Sequence, residues 1–185
     1  MTLLVLGMFV FVGIHLVPTF ASSRQSLIAR LGVSAYKGGF AAVSFIGLIL
    51  LIIGKANADV VPLWIPATWG RHAAMLLMLF SFILLVAAYM PSNVKRLTAH
   101  PMLLGVTLWS AAHLVANGDL ASVILFGGLG AFAVFDMWSA NRRGAAPSKV
   151  AYPIAKDAIV VAVGIVAYGA VLFLHPHLFG VRVIG

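Results

Sequence analysis

The sequence predicts an all-α integral membrane protein, a bundle of about six transmembrane helices, and three observations carry that prediction. Hydrophobic residues make up 63% of the 185 and charged residues only 9%, with a mean hydropathy of +1.10; a soluble domain carries roughly 25% charged side chains. Apolar runs near 2–21, 38–54, 71–90, 100–117, 119–138 and 157–175 come close to the length that crosses a bilayer, about 17 to 25 residues. Basic residues divide unevenly between the intervening loops. Arg24, Arg30, Lys37, Lys95, Arg96, Arg142, Arg143, Lys149 and Lys156 follow the first, third and fifth runs, while only Lys55, Arg71 and Arg182 fall on the other side. That excess makes the odd loops cytoplasmic and leaves both termini outside.

The first run has no basic residue before it and contains His15 and Pro18, so it is expected to remain attached rather than to be cleaved as a leader. The second is the shortest and carries Gly47 and Gly54. Between the second and third runs, Asn57 to Gly70 holds Pro62, Trp64, Pro66 and Trp69. Indoles suit the headgroup region, which predicts an interfacial re-entrant segment or short helical lid. Pro101 at the start of the fourth run is suited to the first turn of a helix, and Asn117-Gly118-Asp119 closes it. The fifth holds Gly127-Gly128-Leu129-Gly130, small residues that admit a close helix neighbour or a flat ligand. Ser139 to Pro153 is the longest polar stretch and reads as a flexible cytoplasmic loop. Residues 1–185 read as a single domain.

Only four acids are present, all aspartates, and there is neither glutamate nor cysteine. Disulfides, thiolate metal sites and a Cys nucleophile are excluded, and chemistry based on paired carboxylates has little to work with. Asp119 and Asp157 are placed to cap the fifth and sixth spans, and Asp136 to be neutralised by Arg142 or Arg24. The net charge of +8 is a topology signal and an attraction to membrane lipid, not a nucleic-acid patch.

Chemistry must then come from polar groups inside the membrane, where an unpaired polar atom costs several kcal/mol. His15 and His113 lie deepest, with His100 near the inner surface and His72, His175 and His177 near the outer one. Each could be a neutral imidazole bonded to a backbone carbonyl. Helical spacing puts Met102, Val106 and Trp109 on the face of His113 with Gly105 beside them, and Met8 and Phe11 on the face of His15. An aromatic-lined slot between two inward histidines suits a flat macrocycle whose iron is held by imidazole, although ordinary core packing gives the same stripes. Helix rise alone puts His15 about 18 Å and His113 about 6 to 8 Å below the outer surface. On levels alone, His15 would pair with His100, or His72 with His113. Arg71 is placed to bind a propionate through a bidentate guanidinium, or to snorkel to a lipid phosphate.

His100-Pro101 followed by Gly105, Trp109, His113 and Asn117-Gly118, with Gly13-Ile14-His15 leading to Ala21-Ser22-Ser23-Arg24, resembles the NnrU family of bacterial membrane proteins over about residues 1–144. The resemblance implies a multi-pass protein of the bacterial inner membrane with both termini periplasmic, associated with denitrification and with respiratory or denitrification partner proteins. It also implies likeness to the plastid zeta-carotene isomerase, which carries haem b between histidines. His15 and His113 then match the axial ligands, and His100 the additional histidine of a His-Pro motif. Where that isomerase has a cysteine three residues before its second ligand, this chain has Ser110, which separates binding haem from repeating the isomerase chemistry. His-Pro entering a membrane helix is also similar to isoprenylcysteine and phospholipid methyltransferases, but Asp136 to Tyr152 lacks their acidic, Arg-Tyr-rich stretch. The expectation is a haem-b protein with a redox, sensing or accessory role, or an isomerase-like activity. The alternatives are a cofactor-free assembly or transport factor and a methyltransferase-like enzyme.

Overall fold

The computed structural model describes residues 1–183. The chain forms α1 (Thr2–Leu16), α2 (Ala21–Leu31), α3 (Val33–Ala56), α4 (Gly70–Tyr89), α5 (Val94–Leu97), α6 (Pro101–Ala116), α7 (Leu120–Ser122), α8 (Gly128–Arg142) and α9 (Ile154–Phe179). A 3-10 turn, Val17–Thr19, extends α1, and a π-helical turn, Val123–Gly127, joins α7 to α8 in one continuous rod. No β-strand occurs among the described residues. Five segments are long and apolar enough to cross a membrane: Thr2–Thr19, Val33–Ala56, Gly70–Tyr89, Leu120–Arg142 and Ile154–Phe179. The expected fourth span, Pro101–Ala116, is a 16-residue apolar helix, about 24 Å long and shorter than a hydrocarbon core of about 30 Å. The second span is not the shortest, because its helix begins at Val33 and runs 24 residues.

The helices form an open row in the order α3, α1, the α7–α8 rod, α6, α4 and α9. Glycines set the approach of neighbours. A Cβ on Gly47 would lie 2.8 Å from the Phe11 nitrogen, one on Gly7 would lie 2.7 Å from the Leu51 nitrogen, and one on Gly54 would strike the Leu4 backbone. This register makes α1 and α3 an antiparallel hairpin, with Leu4 and Leu51 buried between them and Ala121 from the rod packed alongside. In hydrocarbon, where apolar surfaces gain little from meeting each other, this backbone-to-backbone packing is what associates the helices. Gly164 of α9 meets the Ile83 backbone of α4 in the same way. The hairpin packs closely on itself and touches the rod much more lightly, whereas α6 packs closely on both the rod and α4.

Several expectations are corrected here. The connection from Asn57 to Gly70 contains no helical lid. It runs extended across the end of α6, where Leu63 N–H and Trp64 N–H donate to Gly118 O, Leu120 N–H donates to Val61 O, and Pro62 bridges Asp119. Its prolines and the requirement for satisfied backbone groups at the membrane boundary favour this borrowed pairing over a helix. Gly118 is required there, since any Cβ would run into the Trp64 carbonyl. The polar stretch after Ser139 is not simply a free loop: α8 continues to Arg142, and Ser148 N–H donates to Lys95 O. Asp157 does not cap α9 with its side chain; its carboxylate accepts from the Asn93 N–H at 2.7 Å and the Asn93 amide at 2.6 Å. Asp136 pairs with Arg143, at 3.6 Å, rather than with Arg142 or Arg24. Arg142 instead covers the Trp138 ring at 4.5 Å.

Asp119 does cap the fifth span, accepting from Ser122 N–H at 2.9 Å, and it adds a latch between the hairpin and the rod. Lys55 Nζ at the end of α3 donates to Asp119 Oδ1 at 2.9 Å and to Ser122 Oγ at 2.8 Å. At the opposite end Arg143 donates to Thr19 O at 3.1 Å. Burial raises the Asp119 carboxyl, but bonds from the Ser122 hydroxyl, Lys55 and the Ser122 amide, with the Lys55 charge, outweigh it and hold the group below its ordinary value. A depressed carboxylate stabilises the fold above its unfolded value and loses that contribution as pH falls through the folded one. The unfolding midpoint in detergent is therefore expected to drop below about pH 4. Asp119→Asn should cost about 1–3 kcal/mol at neutral pH and remove that acid-dependent drop. A wild-type midpoint unchanged between neutral pH and pH 3 would contradict this role.

Candidate functional site: two histidines against one helix

His15 and His113 are built alike. The His15 Nδ1 lies 2.7 Å from Phe11 O, and the His113 Nδ1 lies 2.8 Å from Trp109 O, each four residues back on its own helix. A carbonyl can only accept, so each Nδ1 carries the proton, and each Nε2 keeps an in-plane lone pair. Neither Nε2 has a hydrogen-bond partner among the described residues. This is the tautomer of a metal-ligating imidazole whose other ring nitrogen is fixed by a backbone carbonyl.

Aromatic rings hold both imidazoles. The residue four back stacks on His15, with Phe11 at 4.2 Å between centroids, and Phe40 and Phe132 approach its ring at 5.1 and 6.0 Å. Phe126 stacks on His113 at 4.3 Å, with Trp109 at 5.0 Å. Phe126 and Phe132 belong to the same α7–α8 rod, so histidines from helices that do not adjoin each other converge on one element. The two phenylalanines are six residues apart, a rise of about 9 Å, so the difference in level expected from the sequence persists along the rod. No hydrogen bond or ring contact joins His15 to His113 among the described residues.

The rod is π-helical where it meets His113, and such turns often mark functional sites. The fully wound α-helical pattern is lost there, and the Phe126 carbonyl instead accepts from the Ser110 hydroxyl. Ser110 is buried, and a Cβ on Gly130 would strike its side chain. Ser110 thus holds α6 to the rod and is committed to that bond. Gly105 does not border an open slot beside His113: a Cβ there would lie 2.9 Å from Leu85 Cγ, and its carbonyl accepts from Ser81 Oγ at 2.8 Å. It is the contact between α6 and α4. The Gly127–Gly130 cluster serves close packing too, with Gly128 against Met8 of α1 and Gly130 against Ser110.

His100 lies apart from both, at the start of α6, with its Nε2 2.7 Å from Asn141 Oδ1 of α8. Its second nitrogen partner is thereby taken at the end of the bundle that carries Arg143. His72 and Arg71 stand exposed in the first turn of α4. Gly70 meets the Val115 carbonyl of α6, so this turn is near the level of His113 on the neighbouring helix. His175 Nδ1 is bonded to Val181 O at 2.8 Å, and no group of three or more His, Cys, Asp or Glu side chains suited to a metal occurs among the described residues. Phe40, Phe126, Phe132 and Asn141 are the site neighbours that sequence reasoning missed; all four lie on other helices, where periodicity within a single helix carries no signal.

No curated protein and no solved structure matches this chain. The family model described as NnrU protein matches residues 3–183. With that match covering nearly its whole length, this multi-pass helical membrane protein belongs to the NnrU family.

Proposed function

We propose that the protein binds haem b between His15 and His113 in the bacterial inner membrane and has a redox, sensing or accessory role linked to denitrification. The observation that carries this reading is the matched pair of imidazoles. Each donates Nδ1–H to the carbonyl four residues back, each is packed by aromatic rings, and each keeps an unbonded Nε2 in an apolar setting where an unpaired polar atom costs free energy. A metal supplies the missing partner for both. The ring contacts at 4.3 and 6.0 Å to one rod leave imidazole reach to close the offset of about 9 Å along its axis. Haem bound by two histidines supplies one-electron chemistry without an open coordination site, which suits electron transfer or redox-gated switching. The chain's own contribution is to fix the tautomers, exclude water with Phe11, Phe40, Phe126 and Trp109, and place Arg71 near the level of His113 as a propionate partner. The positive-inside bias supports periplasmic termini.

The test is the absorption spectrum of the protein purified from cells with ample haem supply. A Soret band with about one haem per chain is expected. A colourless preparation that takes up no haem on reconstitution would favour the cofactor-free assembly or transport factor, with the histidines as packing elements.

A further inference from the structure

We propose that the basic end of the bundle holds a site for the phosphate of one anionic phospholipid, clamped by Arg96 and Lys149. A cavity of about 690 Å³ opens there between the α5 turn and the segment after α8, with Arg96, Leu97, Pro147, Ser148 and Lys149 in its wall. A second cavity, of about 470 Å³, lies on the other side of Ser148 and includes Lys95, Thr98 and Met102. The segment between them is fixed in place: Ser148 N–H donates to Lys95 O at 2.7 Å, Tyr152 N–H donates to Asn93 Oδ1 at 3.0 Å, and the Asn93 amide donates to Tyr152 O at 2.8 Å. Arg96 and Lys149 have no carboxylate partner among the described residues. Asp157 also faces the larger cavity, but both its oxygens already accept from Asn93, so two cations there oppose one committed carboxylate.

The surroundings select a lipid over a free ion. Leu97 is 84% exposed and Ile154 80%, beside the cavity on α5 and at the start of α9. Tyr89 and Met102, in contact at 3.4 Å, are exposed at the smaller one. Such apolar side chains are suited to acyl chains, while cations at the membrane surface attract anionic headgroups.

Native mass spectrometry of the full chain released from detergent tests the site. With phosphatidylglycerol supplied, one lipid per chain is expected to be retained, and phosphatidylcholine not. Arg96→Gln with Lys149→Gln should weaken retention about tenfold or more, from the contribution of each cation near the surface, and Lys149→Glu alone should weaken it too. Neither side chain bonds to the protein, and circular dichroism checks that helicity is kept. Arg30→Gln with Lys37→Gln, which removes the same charge elsewhere at this end, should leave retention unchanged. Equal loss in that control, equal retention of phosphatidylcholine, or displacement of the lipid by millimolar inorganic phosphate would each overturn the proposal.

Discussion

His113→Ala is expected to lose haem by about tenfold or more, since losing even a group that only orients a ligand costs about 10- to 100-fold in affinity. His15→Ala should do the same, because the two imidazoles are fixed in the same way, by Phe11 O and Trp109 O at 2.7 and 2.8 Å. His100→Ala should leave the spectrum intact: its Nε2 is already engaged with Asn141. Haem content and the Soret and visible bands of oxidised and reduced protein read all three variants. Normal spectra in both the His15 and the His113 variants, with loss in His100→Ala, would move the ligand to the basic end of the bundle. Ser110→Cys should leave the spectra of both states unchanged. That position is buried against Gly130 and faces the Phe126 carbonyl, so a thiol there has no path to the iron. New thiolate features would show that α6 is rotated relative to this arrangement.

The hairpin of α1 and α3 is where a single methyl group should do the most damage to the fold. A Cβ on Gly47 would lie 2.8 and 2.9 Å from the Phe11 nitrogen and Cα, and one on Gly54 would strike Leu4, which is fully buried. In both cases the obstacle is backbone, which cannot turn aside as a flexible side chain can. Gly47→Val and Gly54→Val are therefore expected to destabilise at or above the upper end of the usual range for overpacking, about 1–3 kcal/mol. They should also lower the yield of folded protein in detergent. Gly13→Ala and Gly38→Ala meet nothing within 4 Å. They should be neutral or slightly stabilising, since alanine favours the helix by up to about 1 kcal/mol. Thermal midpoints by fluorescence-detected gel filtration separate the two groups. Equal effects in all four would mean that helix propensity, not close approach, governs the hairpin. Because His15 lies on α1, a loosened hairpin should also lower haem binding, linking the fold to the proposed cofactor.

The apolar runs, the uneven basic residues and the scarcity of acids were enough to establish a helical membrane bundle, because the demand for internally satisfied backbone in lipid leaves few solutions. The cap at Asp119 was legible for the same local reason: a side-chain oxygen serves an amide three residues away. His15 and His113 stood out because an ionisable group in an apolar run is costly wherever it sits. Their carbonyl partners four residues back follow from the helix period.

What the sequence could not determine were the partners across helices. Lys55 reaches Asp119 over 64 residues, Asn93 reaches Asp157 over 64, and Arg143 reaches Thr19 over 124. Gly105 looked like part of a ligand slot and proved to be a contact with α4. Ser110 looked like a residue facing iron and is a donor to Phe126 O. In so hydrophobic a chain nearly every helix face is apolar, so composition cannot tell a lipid-facing side from a packed one. Close approach between backbones makes that choice, and it exists only once the helices are assembled. The sequence by itself determined that two histidines lie within the membrane spans, with their ring tautomers set by local carbonyls; the tertiary structure alone decided that both meet the α7–α8 rod.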